Sequence, residues 1–241
     1  HTFLDVVCNF ENDPRGWHGL GNTQYYLNQY ENALDSYNLA IEKTIKSENP
    51  VFIEHLNEIK QNIAQVYVNT NKFNEALKIY TEIFEKLKKE NKLNPIIFVG
   101  ISDCYFNLRN YNECINILKQ GIQKFECDSE LYSTLGNYYF QIAKLNEASF
   151  YFEKALKYFP LKLKYLSDLI TVLFILKNLT EINKHTEHIK NIVPKTEEDH
   201  YYMGNIHFLL KNTEKSDFHF KQSKNFSDYY PELYKLINFK I

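Results

Sequence analysis

Turn-forming residues are scarce in this chain: 7 Gly and 6 Pro among 241 residues. No run of alternating polarity is long enough to suggest a sheet, which argues against turn-dense β architectures and agrees with an all-α chain. Four cysteines, Cys8, Cys104, Cys114 and Cys127, form neither a CxxC pair nor a metal-like spacing. A disulfide framework is therefore not expected, and a reducing, cytoplasmic or otherwise intracellular setting is. No stretch approaches about 18 consecutive apolar residues, so no membrane span is expected, and a charged-then-apolar leader is not expected either. A formal net charge of −2 supplies no general attraction for phosphate, so nucleic acid is not an expected partner. HExxH, G-x-S-x-G and phosphate-binding Gly loops are absent. The expectation is a non-catalytic chain with no cofactor and no metal. His185 and His188 share a helical face at i,i+3, but Lys184 and Lys190 beside them would repel a cation, and they read as a surface pair. His207 reads as a satisfied, half-buried imidazole.

What is present is a recurring frame. Small residues recur at Gly21, Ala64, Ser102, Gly136 and Gly204, each followed about a dozen residues later by a second one, Ala33, Ala76, Cys114, Ala148 and Ser216. Taking the second marker, with Ile182 in the fifth copy, the steps are 43, 38, 34, 34 and 34 residues. Large residues keep the same register: Trp17, Phe98 and Tyr132, then Leu20, Ile63, Ile101, Leu135 and Met203, then Tyr37, Tyr80, Leu118, Phe152 and Phe220. Small side chains let helix axes approach while large ones fill the adjoining grooves. The two long steps fall on polar, helix-favouring stretches, residues 42–48 and 85–90, which lengthen the second helices of the first two copies. Lys86 to Lys92 then lie at a helix C-terminus, where cations are favoured. Pro160 and Pro194 end repeats. Asn28, Asn71, Asn110, Asn178 and Asn212 are candidates for a turn that needs positive φ.

The frame Trp17-x2-Leu20-Gly21…Ala33-x3-Tyr37-x2-Ala40 resembles the tetratricopeptide repeat, a helix-turn-helix unit of about 34 residues. The resemblance spans about residues 14 to 228 and implies a right-handed superhelical α-solenoid of antiparallel helix pairs, because one such unit cannot bury its apolar face alone. The repeats are placed at about 14–50, 51–94, 95–128, 129–160, 161–194 and 195–228, in a single solenoid. Residues 1–13 read as the end of an upstream helix, in an excerpt from a longer protein, and 229–241 as a terminal helix. The fifth copy departs most, with Ile170, Ile182, Thr186 and Ile189 where small or aromatic residues are usual. That bulk is expected to push its two helices apart.

In the resembled family the first helices line a concave groove, and the residue after the small position faces it. Here those residues are Asn22, Gln65, Asp103, Asn137, Thr171 and Asn205, a row of amides suited to the backbone of an extended peptide. Three residues further stand Tyr25, Val68, Phe106, Phe140, Phe174 and Phe208, which serve contact between neighbouring repeats, ligand anchoring, or both. Leu163 to Leu176 is apolar almost all round, so it is either covered within the fold or docks a partner through residues such as Ile175. Co-chaperone relatives grip a terminal carboxylate with Lys, Asn and Arg; the matching positions here, His18, Gln61, Val99 and Asp103, lack that clamp. The resemblance thus implies a protein-interaction scaffold or adaptor, within a multi-subunit assembly, that binds a peptide or helical segment in its groove. The alternatives are a recruiting segment of a larger enzyme and an RNA-reading helical repeat, whose expected basic groove is missing.

Overall fold

The structure, a computed structural model, describes residues 12–189 and 192–223. Every regular element among them is a helix. The expected upstream helix end (apart from residues 12 and 13) and the terminal helix at 229–241 lie outside the described residues, as does the end of the sixth repeat. The chain divides into two compact units, His1–Gly121 and Ile122–Ile241.

In the first unit α1 (Pro14–Tyr26) folds back on α2 (Tyr30–Ser47), a five-residue helix α3 (Pro50–Glu54) follows, and α4 (Leu56–Asn69) pairs with α5 (Phe73–Lys89). Then come α6 (Pro95–Asn107) and α7 (Tyr111–Lys124). α2 and α5, with 18 and 17 residues, are longer than the 14 of α7, which absorbs part of the long steps, and the five-residue α3 takes up more of the first. The separate helix α3 was not expected. Asn49 and Pro50 start it, the amide oxygen accepting from Val51 N–H at 3.0 Å. The same chemistry starts α1 at Asp13 and Pro14, with Arg15 N–H 2.9 Å from the Asp13 carboxylate. Ala33, Tyr37, Ala40, Ile59, Ile63 and Val66 form one apolar core, with Trp17, Tyr25 and Tyr30 packed against it.

In the second unit α8 (Ser129–Gln141) pairs with α9 (Leu145–Tyr158), α10 (Leu163–Ile175) with α11 (Leu179–Ile189), and α12 (Glu197–Leu209) with α13 (Thr213–Gln222). Asp128 caps α8, and a capping box between Thr196 and Asp199 starts α12. Leu163, Leu166, Leu169, Ile170, Val172 and Leu173 are buried, since α10 is packed against α9, α11 and α12. Ile170 and Ile182 occupy the small positions of this pair, and α10 and α11 are less closely packed than α8 and α9 or α12 and α13. Added methylenes at a point of closest approach separate the axes.

The small residues mark real contacts. A Cβ added at Gly21 would stand 2.6 Å from the Tyr37 ring, and at Gly136 or Gly204 2.8 Å from the rings of Phe152 or Phe220. Ala33, Ala76, Cys114 and Ala148 have no exposed surface. Burial pushes the Cys114 thiol up to about 12, so it behaves as a small apolar side chain.

One expectation needs correction. The left-handed residue in the turn between paired helices is Asn28 (φ 58°) and Asn71 (φ 59°), as expected, but then Arg109 (62°), Ala143 (60°), Lys177 (57°) and Lys211 (58°). Asn110, Asn178 and Asn212 sit one residue later. Asn178 and Asn212 accept there from the N–H of Glu181 (3.2 Å) and Lys215 (3.3 Å), capping the next helix. Asparagine suits both a left-handed turn and a helix cap, so its presence alone does not say which it performs.

Candidate functional site

In each unit successive first helices enclose a cavity that gathers part of the amide row. The first, about 250 Å³, is lined by Asn22, Tyr25, Tyr26, Tyr37, Glu58, Asn62 and Gln65. Its polar atoms are largely committed to one another. Asn22 Oδ1 accepts from the Tyr37 hydroxyl at 2.8 Å and from Asn62 Nδ2 at 2.9 Å. Asn62 Nδ2 also lies 2.9 Å from His18 Nε2. The Tyr80 hydroxyl donates to Gln65 Oε1 (3.2 Å), Gln65 Nε2 to Asn69 Oδ1 (3.3 Å), and Asn69 Nδ2 to the Tyr25 hydroxyl (2.9 Å). Burial holds the Tyr37 and Tyr80 phenols well above, and His18 below, their ordinary range, so all three are neutral near pH 7.

The second cavity, about 140 Å³, is lined by Asn137 and Phe140 of α8, Phe152 of α9, Ser167, Asp168 and Thr171 of α10, and Tyr201, Tyr202 and Asn205 of α12. Here the row is open. The side-chain amides of Asn137 and Asn205 make no hydrogen bond to another described residue, although Asn205 is only 6% exposed. Thr171 bonds back to the Ser167 carbonyl at 2.8 Å. Asp168 was not expected from the sequence. Its Oδ2 is sealed from solvent without a partner. The nearest cation, Lys164, lies 3.5 Å from Glu130, whose other oxygen accepts from the Tyr165 hydroxyl at 2.7 Å. Burial pushes the Asp168 carboxyl up to about 7, with Lys164 opposing the rise and Glu130 adding to it. The signal that could have found it was in plain view: Asp168 is the lone acidic residue of α10 and stands one turn before Thr171 on the same face.

The contrast has a simple origin. The phenols that bind Asn22 and Gln65 stand 15 residues later, on the paired second helix. Fifteen residues after Asn137 and Asn205 stand Phe152 and Phe220, which carry no hydroxyl.

The remaining row members line neither cavity. Asp103, Phe106, Phe174, Ile175 and Phe208 are half-buried. The Phe106 ring packs against Tyr111 with centroids 5.2 Å apart, and the Asp103 charge adds to burial in raising the Cys104 and Cys114 thiol pKa values. His185 is joined in space by carboxylates: ligand atoms of Glu153, Glu181 and His185 lie within 4.8 Å of one another. Lys184 stands 3.2 Å from Glu181 and offsets one of the two carboxylate charges there. His207 stacks on His219 at 5.5 Å, and His219 Nδ1 lies 2.9 Å from His200 Nδ1. Desolvation and its two histidine neighbours lower the His219 pKa to about 4.

The tetratricopeptide repeat profile matches residues 14–42, 58–85 and 129–160, three of the helix pairs described above. Those three helix pairs are tetratricopeptide repeats, and the described residues as a whole have a helical-repeat fold. No curated protein matches its sequence. Among solved structures it is similar to PilF of Pseudomonas aeruginosa, at 14% identity and a TM-score of 0.60, over 95% of this chain and 97% of that one. It is also similar to human IFIT1, solved as a dimer with PPP-AAAA, at 16% identity and a TM-score of 0.61, over 93% of this chain and 53% of that one. At such identities the likeness is one of fold. Among the described residues no helix is long and apolar enough to cross a membrane.

Proposed function

We propose that this chain is a non-catalytic interaction scaffold, and that it receives an extended peptide or helical segment of a protein partner against the first helices of its second unit. One observation carries the reading: Asn137 and Asn205 present amides with unused donors and acceptors into a cavity bordered by Phe140, Tyr201 and Tyr202. An amide offers two donors and an acceptor, matching a peptide group on either side. Aromatic rings beside it give the area and the low ordering entropy typical of interface anchors. The first cavity supports this role less, since its acceptors are filled from within. The test is affinity purification with mass spectrometry, comparing the native chain with the combined Asn137→Ala and Phe140→Ala variant. The groove reading expects specific partners lost from the variant; identical partner lists would defeat it.

A further inference from the structure

Asp168 has an odd position for a carboxylate. It sits on a helix rich in Leu, Ile, Val and Phe, its Oδ2 is out of contact with water, and no side chain donates to that oxygen. A buried acceptor left without a donor destabilises the fold unless something supplies one. Lys164, on the same helix, is held by Glu130 of α8. From α12, Tyr202 faces Asp168, and burial, with the negative charges of Asp168 and Glu198 adding to it, keeps its phenol protonated. None of these groups neutralises the carboxylate. Around it are two amides without partners and aromatic rings, with room for one long side chain.

We propose that this cavity is a subsite for one basic side chain, lysine or arginine, on an extended segment of the partner. The proposal rests on the groove reading above and adds the charge of the residue that enters. The cation pairs with the Asp168 carboxylate where it lines the cavity, its remaining N–H groups donate to the amide oxygens of Asn137 and Asn205, and its alkyl stem lies along the rings of Phe140 and Tyr201. A neutral donor would also satisfy the oxygen, but only a cation offsets the desolvated charge as well. Because the free carboxyl titrates near neutrality, only its ionised form binds the cation. Affinity then rises about tenfold from pH 6 to pH 8 and levels off above.

The experiment is selection of a random dodecapeptide display library on the whole chain at pH 8, followed by binding of the enriched peptides to three proteins. These are the native chain, Asp168→Asn, and the Asn137→Ala, Phe140→Ala double variant. Asn keeps the shape of Asp, and circular dichroism with thermal melting establishes that each variant is folded. The expected result is a shared Lys or Arg position. Replacing it by norleucine or citrulline, or replacing Asp168 by Asn, weakens binding at least tenfold, and the Asp168→Asn protein loses the pH dependence. Peptides without a basic position, or indifferent to Asp168→Asn yet lost on the double variant, would overturn this inference and leave the groove reading standing. Peptides indifferent to the double variant, or none enriched, would overturn both.

Discussion

The two cavities are built from the same part of the repeat and have opposite polar economies. In the first, Tyr37 and Tyr80 reach across from second helices and fill the acceptors of Asn22 and Gln65. In the second, Phe152 occupies the corresponding place beside Asn137, and nothing fills the amide. A single phenolic oxygen therefore separates an amide that ties a helix pair together from one available to a ligand. Asp168 sharpens the difference, because the first cavity has Asn62 at the matching step, bonded to Asn22.

The comparison can be broken in several ways. The shared close approach is the largest lever common to both. Gly136→Val would drive branched methyls into Phe152, where even a Cβ stands 2.8 Å from the ring. It should lower unfolding free energy by about 3 kcal/mol in denaturant titration, and Gly21→Val should do the same through Tyr37.

Next comes Asp168→Asn. The folded-state carboxyl is raised to about 7 from 3.8. Between those values the unfolded chain has released its proton and the folded chain has not, so stability falls as pH rises through this window. The loss is absent below 3.8 and complete above 7. The variant should therefore be more stable than the native chain at pH 8 by up to about 4 kcal/mol, the full linkage of that shift, and equal to it near pH 3.5. Thermal melts across pH read this directly; a variant less stable at pH 8 would mean the carboxylate already has a partner.

Exchanging the phenols should exchange the cavities. Phe152→Tyr should bind Asn137 internally, raise stability by about 1 kcal/mol and reduce peptide capture by the second unit. Tyr37→Phe should lower stability by a similar amount, about 1 kcal/mol, and free Asn22. Unchanged stability in both would show that the hydroxyl bonds are immaterial. The smallest effect is expected at the turns. Ala143→Gly and Arg109→Gly relieve left-handed residues at φ 60° and 62° and should each raise the melting temperature, by about 0.5–1 kcal/mol of stability.

Much of the architecture was legible because close helix packing leaves a periodic trace. Gly21, Gly136 and Gly204 were recognisable as points of approach, and the rings they meet, Tyr37, Phe152 and Phe220, were in the expected register. The turns were only partly legible. Asn28 and Asn71 hold the left-handed position, whereas Asn178 and Asn212 lie one residue beyond it and cap the following helices. The amide row was visible as a row, yet its members differ in what they do. Asn22 is saturated, Asn137 is open, Asn205 is nearly buried, and Asp103 lies outside both cavities. Asp168 was not legible in the pattern because a single acid on a helix dominated by leucine and isoleucine has no period of its own.

By itself the sequence determined the helix pairs, their register and the small residues at their crossings, since these follow from local periodicity and side-chain volume. Only the tertiary structure decided which polar groups are spent and which remain available. That depends on atoms brought within about 3 Å from helices 15 to 44 residues apart, and hydrogen bonding at such range leaves no period in the chain.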